Sequence, residues 1–126
     1  MTTVLHRRYV PWSHAHYAGS VVDGAYVLGL FGDAATELCV RTDGDEGLFA
    51  SYDRVDFLSP VRAGDVLEVE ATLVGRGNRS RQVSFEARVT CRSGNCSPGS
   101  PGSSGSVVLA EPLVVVRARG TVVVPG

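Results

Sequence analysis

The sequence predicts an α+β fold in which one long helix is wrapped by a curled antiparallel sheet. Three observations predict it. Residues 20–42 carry the only helical periodicity, and their apolar arc is too wide for a helix laid on a surface. Nearly everything else alternates apolar and polar residues between Gly, Pro and Asp turns, the signature of strands. A leading strand, one helix and then four antiparallel strands can bury that arc only if the sheet curves around it.

Val4 to Val10 is the leading strand. Ser20 is expected to cap the helix, with Asp23 three residues later giving a variant of the capping box. At about 100° per residue, Val21, Ala25, Leu28, Gly32, Ala35 and Cys39 fall on one line, which Val27, Phe31 and Leu38 widen. Tyr26, Asp33, Glu37 and Arg41 share the opposite side, and Asp43-Gly44 supplies the stop. Gly24, Gly29 and Gly32 each cost roughly 1 kcal/mol against alanine inside a helix. Close approach of another backbone or of a ligand is the expected compensation.

Phe49 to Leu58 is expected to place Ser51, Asp53, Val55 and Phe57 on one face and Tyr52, Arg54 and Asp56 on the other. Val66 to Val74 sets Leu67, Val69, Ala71 and Leu73 against Val66, Glu68, Glu70 and Thr72. Gly75 to Arg79 turns the chain, and Ser80 to Cys91 returns as the next strand. Val107 to Arg119 is another, and Thr121 to Val124 ends the chain. Residues at about 93–106, rich in Ser, Gly and Pro, form a flexible low-complexity loop in what reads as a single domain over 1–126.

Composition narrows the function classes. Among 126 residues the net charge is −1 and lysine is absent, so arginine supplies all twelve fixed positive charges. With no basic run or interleaved aromatic patch, nucleic acid is not an expected partner. No apolar run is long enough to span a membrane, and the N-terminus shows no secretory apolar stretch. Three cysteines, Cys39, Cys91 and Cys96, are an odd count that suits reduced thiols in the cytoplasm. Cys91 and Cys96 have no nearby His or Cys to complete a zinc site, so no metal is expected.

The chemistry is concentrated before the helix. His14-Ala-His-Tyr-Ala-Gly-Ser20 brings two imidazoles and a phenol to the turn leading into the predicted helix N-terminus. Unpaired N–H groups and a positive dipole end make that terminus an anion site. Proton-transfer groups beside an anion hole suit acid–base chemistry on a carbonyl.

Pro60-Val-Arg-Ala-Gly-Asp65, following Phe57, resembles the corner that recurs in hotdog-fold thioester enzymes, among them thioesterases, hydratases and dehydratases. Four further segments in one order are more specific: His16-Tyr-Ala-Gly19, Gly32-Asp-Ala-Ala-Thr-Glu-Leu38, Asp43-Gly-Asp-Glu-Gly47 and Gly77-Asn-Arg-Ser-Arg81. Together they resemble the 3-aminoacyl-CoA ammonia-lyase branch of that fold, the β-alanyl-CoA and 3-aminobutyryl-CoA lyases. The resemblance implies a hotdog fold and a carbon–nitrogen lyase, adding or removing an amine at the β-carbon of an enoyl or 3-amino acyl thioester. The amine is ammonia or, as in relatives from secondary metabolism that then hydrolyse the thioester, glycine. It implies no metal and no cofactor, coenzyme A or phosphopantetheine entering as part of the substrate. The carrier is CoA or an acyl carrier protein, and a 3-amino fatty acid is a possible product class.

Aza-Michael addition to an enoyl thioester develops an enolate oxyanion at the carbonyl, and one well-placed donor is worth on the order of 3 kcal/mol there. The amides around Gly19, Ser20 and Val21 are the expected donors. A base must deprotonate the incoming ammonium, and an acid must protonate the α-carbon. His16 and Tyr17 are the candidates for proton transfer, with His14 a weaker one that also reads as an exposed loop residue. Glu37 is a candidate base, although Asp33, Glu37 and Arg41 also read as a solvated ion-pair stripe. About 25 Å of helix separate Ser20 from Glu37, so Glu37 would serve His16 of a second copy. Tyr52 borders the pocket or faces outward from the sheet. Asn78, Ser80 and Arg81 occupy the hairpin where hotdog enzymes meet pantetheine and phosphate, Arg81 through its planar fork. An unclosed sheet edge and an incomplete pocket point to a homodimer or a dimer-based oligomer. The same carbonyl grip serves hydrolysis, so a plain acyl-CoA or acyl-carrier-protein thioesterase is the alternative. A non-catalytic thioester-binding module is a third reading.

Overall fold

A computed structural model describes residues 2–93 and 105–125. In chain order the strands are β1 (Thr3–Tyr9), β2 (Ala15–Tyr17) and β3 (Val21–Val22), followed by the helix α1 (Gly24–Asp43). Then come β4 (Leu48–Phe57), β5 (Val66–Arg76), β6 (Ser80–Ser93) and β7 (Ser106–Val123). Five strands form one antiparallel sheet in the order β1-β5-β6-β7-β4, and β2 pairs with β3 in a small ribbon beside it. Residues 94–104, which include Cys96 and most of the predicted low-complexity loop, lie outside the described residues.

The helix buries a wide apolar arc, but not along the line the sequence predicts as its centre: Ala25 is exposed, Leu28 and Gly32 are half-buried, and Leu30 and Ala34 are buried in their place. Val27, Leu30, Phe31, Ala34, Ala35, Leu38 and Cys39 of α1 are buried. They meet the inward residues of β5 (Leu67, Val69, Ala71) and of β6 (Val83, Phe85, Ala87, Val89), all essentially inaccessible. Phe31 stacks on Phe85 with ring centroids 4.9 Å apart, and side chains of this kind contribute about 1.5–3 kcal/mol each on burial. The small Ala34 and Ala35, with relative exposures of 0% and 2%, let the helix sit close to the sheet. The alternation in β5 is as the sequence predicts.

Four further expectations are corrected. First, the helix does not start at Ser20. Ala18–Ser20 is a 3-10 turn and Val21–Val22 a strand, and the cap is Asp23, whose carboxylate accepts from Tyr26 N at 3.1 Å. Ser20 could not open a helix because its carbonyl accepts from Ala63 N at 2.9 Å and Val22 N donates to Val61 at 2.8 Å. Its own φ of 63° is left-handed.

Second, β4 does not alternate strictly. Register shifts between Phe49 and Ser51 and between Tyr52 and Arg54 leave Ala50 and Asp53 as bulge residues. Phe49, Tyr52 and Val55 consequently all pack against the core. Third, β7 runs unbroken through Gly120, where a break was expected. A Cβ on Gly120 would lie 2.8 Å from both the Phe49 ring and the Ser51 carbonyl, so this glycine admits a neighbour and does not end a strand. Fourth, only Gly24 of the three helical glycines has the close neighbour expected of it. A Cβ there would lie 2.7 Å from Phe57 Cε1, whereas Gly29 and Gly32 meet nothing within 4 Å.

The predicted stop holds: Gly44 takes a left-handed φ of 68° and its N–H caps Val40. Among the described residues no helix is long and apolar enough to cross a membrane.

Candidate functional site

An open cavity of about 400 Å³ lies at the N-terminal end of α1. Two segments build most of it. Val21, Val22, Asp23 and Gly24 form one wall, and Phe57 through Val61 the other. The two are stitched by backbone hydrogen bonds, Val22 N to Val61 O and Ala63 N to Ser20 O. Val27 and Val116 close the inner end.

The walls are apolar, and Asp23 is the one ionisable side chain among the described residues lining them. Its Oδ1 caps the helix. The first-turn N–H groups of Gly24 and Ala25 have no partner within the helix, as helix geometry requires. Gly24 also admits the Phe57 ring against the helix start. Phe57 and Leu58 are 57% and 51% exposed, so the mouth of the cavity is apolar and uncovered. A site of this form accepts an apolar chain with one polar or charged group at its head.

Residues 14–20 approach this cavity without lining it. His16 and Tyr17 pack edge to face at 4.6 Å, both exposed. Gly19 at φ 76° and Ser20 at φ 63° form two successive left-handed residues, which explains the glycine in that position. His14 leans on Tyr26 at 4.6 Å, and burial pushes the Tyr26 phenol up, with Arg8 opposing. The amides of Gly19, Ser20 and Val21 are therefore not helix-start donors. That position belongs to Gly24 and Ala25.

The other predicted residues lie elsewhere. Glu37 accepts from Arg41 Nε at 2.6 Å and contacts His6 Nε2 at 2.7 Å. Arg41 first and His6 second hold its carboxyl below the usual range, which makes it a weaker base. It stands 13 residues from Gly24 along α1, about 20 Å away. Tyr52 turns inward because of the β4 bulges. It packs on Phe49 at 4.4 Å, its hydroxyl donates to Leu28 O at 3.3 Å, and burial raises its pKa.

Arg81 is not presented to a phosphate. Its Nε and Nη2 grip the Asp43 carboxylate at 2.7–3.2 Å. Its Nη1 donates to Gly77 O at 3.1 Å and Ser80 O at 2.8 Å. Arg81 and then Thr42 push Asp43 down to about 2. Asn78 and Ser80 sit on the same hairpin, at the opposite end of α1 from the cavity. In one chain, then, none of these residues lines the cavity. Tyr17 pairs with the wall residue Val21 and Ser20 adjoins it. Tyr52 bonds Leu28 next to Val27, and Glu37, Asn78, Ser80 and Arg81 lie towards the other end of α1.

A model of the thioesterase superfamily matches residues 19–95. The chain belongs to the thioesterase superfamily. It is 51% identical over 113 residues to a 3-aminobutyryl-CoA ammonia lyase of Acetoanaerobium sticklandii, covering 88% of this chain and 85% of that protein. Its fold superposes on the β-alanyl-CoA:ammonia lyase from Clostridium propionicum with a TM-score of 0.92. That match has 30% identity and covers 98% of this chain and 85% of that one. A hexameric thioesterase from Yersinia pestis shares the fold at a TM-score of 0.74 and 16% identity, covering 96% and 85%. The hotdog architecture is thereby established, with α1 as the central helix.

Within this thioesterase-superfamily chain, two features of the cavity escaped sequence reasoning. Asp23 is legible in sequence only as the third-position partner of a cap at Ser20. Phe57 was legible only as a strand residue, and its position over Gly24 depends on a contact between residues 33 apart.

Proposed function

We propose that this protein is a carbon–nitrogen lyase that adds ammonia to, or removes it from, the β-carbon of a short acyl thioester of coenzyme A. The observation that carries the reading is the 51% identity to a 3-aminobutyryl-CoA ammonia lyase across 88% of the chain. The cavity suits such a substrate: apolar walls for the acyl chain, and one carboxylate, Asp23, as counter-charge for the 3-ammonium group.

In this reading the thioester carbonyl lies at the start of α1. There the N–H groups of Gly24 and Ala25, at the positive end of a 20-residue helix, stabilise the enolate oxyanion. Asp23 holds the incoming ammonium and takes its proton, and His16 or Tyr17 delivers a proton to the α-carbon. Gly19 and Ser20 shape the turn that carries His16 and Tyr17. Glu37 enters only through a second copy.

A homodimer or dimer-based oligomer follows from the exposed β4 edge and the uncovered mouth at Phe57 and Leu58. The enzyme uses no cofactor beyond the pantetheine of its substrate, and it works in the cytoplasm. Glycine as the amine, an acyl carrier protein as the carrier and a 3-amino fatty acid as the product are finer variants of the same chemistry.

The test is incubation with crotonyl-CoA and ammonium, then with glycine, following acyl products and free thiol separately. A 3-amino acyl-CoA appearing ahead of free thiol is the expected result. Free thiol without an amine adduct would replace the lyase with a thioesterase, and binding without turnover would leave a thioester-binding module.

A further inference from the structure

Asp65 is completely buried, yet it lies on a turn whose neighbours form a cavity wall. Its carboxylate receives the Arg92 fork, Nε to Oδ1 at 3.0 Å and Nη2 to Oδ2 at 3.0 Å, and the Arg62 N–H at 2.8 Å. Arg92 Nη2 also donates to the Pro60 carbonyl at 3.0 Å. One guanidinium from the far end of β6 thus grips both ends of the Pro60–Asp65 turn.

That turn is a junction. Val61 O accepts from Val22, Ala63 N donates to Ser20, and Gly64 and Asp65 exchange hydrogen bonds with Val10. Moving it would move both cavity walls together, because residues 20–22 hang on it through backbone bonds. The start of α1, where Asp23 and the first-turn amides sit, follows directly.

We propose that Arg92 is a positioning residue for the reaction: by clamping Asp65 and the Pro60 carbonyl it fixes the two walls of the cavity relative to the start of α1. This rests on the lyase reading for its kinetic consequence, but not for its structural one. The planar fork is essential, since an ammonium is a point charge that cannot satisfy both carboxylate oxygens and the Pro60 carbonyl in one plane.

The chain carries a reporter of this junction. Trp12 is its single tryptophan. It packs on Gly64, where φ is +88° and a Cβ would lie 2.8 Å from Trp12 Cζ2. Its emission therefore reads the placement of the Pro60–Asp65 turn directly.

The experiment compares wild type with Arg92→Lys and Arg92→Gln, measuring circular dichroism, Trp12 emission and steady-state kinetics on crotonyl-CoA with ammonium. Arg92→Lys, which keeps a cation opposite Asp65, carries the test if Arg92→Gln does not fold. The expected result is a folded variant with a shifted Trp12 emission. Its kcat should fall about tenfold to a hundredfold, the scale of a displacement of roughly 1 Å in a reacting geometry, with KM within about threefold. An unchanged Trp12 spectrum, or a wild-type kcat in folded Arg92→Lys, overturns the proposal. If wild type itself turns over no enoyl or 3-amino acyl thioester, the lyase reading fails, and Trp12 emission still decides whether Arg92 sets the turn.

Discussion

The two ends of α1 are built on opposite principles. At the C-terminal end the last helical carboxylate is clamped: Asp43 is held by Arg81, with Arg76 3.4 Å away, and Arg81 reaches back to two carbonyls of the β5–β6 hairpin. At the N-terminal end the walls are apolar, the mouth is open, and Gly24 of the first turn and the Asp23 carboxylate border the cavity. A clamped ion pair of this kind holds a helix in place, and its own groups are spent on the fold. The unsaturated end is where a substrate can gain the interactions that the fold itself leaves unmade.

The sharpest way to break this comparison is a substitution that touches charge without touching the cap. Asparagine caps a helix as well as aspartate does. Asp23→Asn should therefore keep the melting temperature close to wild type while lowering kcat/KM on the order of 10²-fold, the lower end of what acid–base groups contribute. Thermal melts and steady-state rates on the same preparation check both halves. Equal activity in the variant would leave the N-terminal end without a proton-handling role.

The opposite signature belongs to the other end. Arg81→Ala strands the Asp43 carboxylate and two hairpin carbonyls, so the thermal midpoint should fall by roughly 5–10 °C. Turnover of the folded fraction below that midpoint should remain within about twofold of wild type. A comparable loss of kcat at low temperature would show that the clamp end also takes part in the reaction.

A smaller effect is expected at Gly24→Ala, where the new Cβ would meet Phe57 Cε1 at 2.7 Å. Alanine is a better helix former than glycine, and the ring it displaces is half exposed, so stability should change by less than about 1 kcal/mol. The mouth of the cavity changes shape, and kcat/KM should drop about tenfold, through KM more than kcat.

Acid provides the mildest probe. Asp43 is held at about 2, below its ordinary 3.8. The stabilisation it contributes is therefore complete above pH ~4 and is lost as pH falls towards ~2. Acid titration followed by circular dichroism should show wild type losing stability in that window. Asp43→Asn, which has no carboxyl to protonate there, should show a shallower dependence.

The same contrast explains what could be read from the chain. Both ends of α1 carry motif residues, and a linear pattern ranks Arg81 with His16. Arg81 is removed from candidacy only by Asp43, 38 residues away. Tyr52 reads in sequence as bordering the pocket or facing outward, and the two β4 bulges turn it towards the core. His6, not singled out as a partner, proves to be the second contact of Glu37. The Pro60–Asp65 corner reads as turn chemistry in sequence, and only the fold makes it the junction of both cavity walls.

The sequence by itself determined the fold class, the helix stop at Gly44, the inward face of β5, and the family motifs. These depend on interactions between residues one to four apart, or on a strict period of two, which a linear pattern records completely. Tertiary structure decided where α1 begins, which side Tyr52 faces, and which charged groups remain available. Ser20 and Val22 give up their backbone bonds to residues 61–63, so the cap passes to Asp23. Each backbone donor or acceptor can satisfy only a few partners, and when those partners are tens of residues away, the allocation is settled by folding.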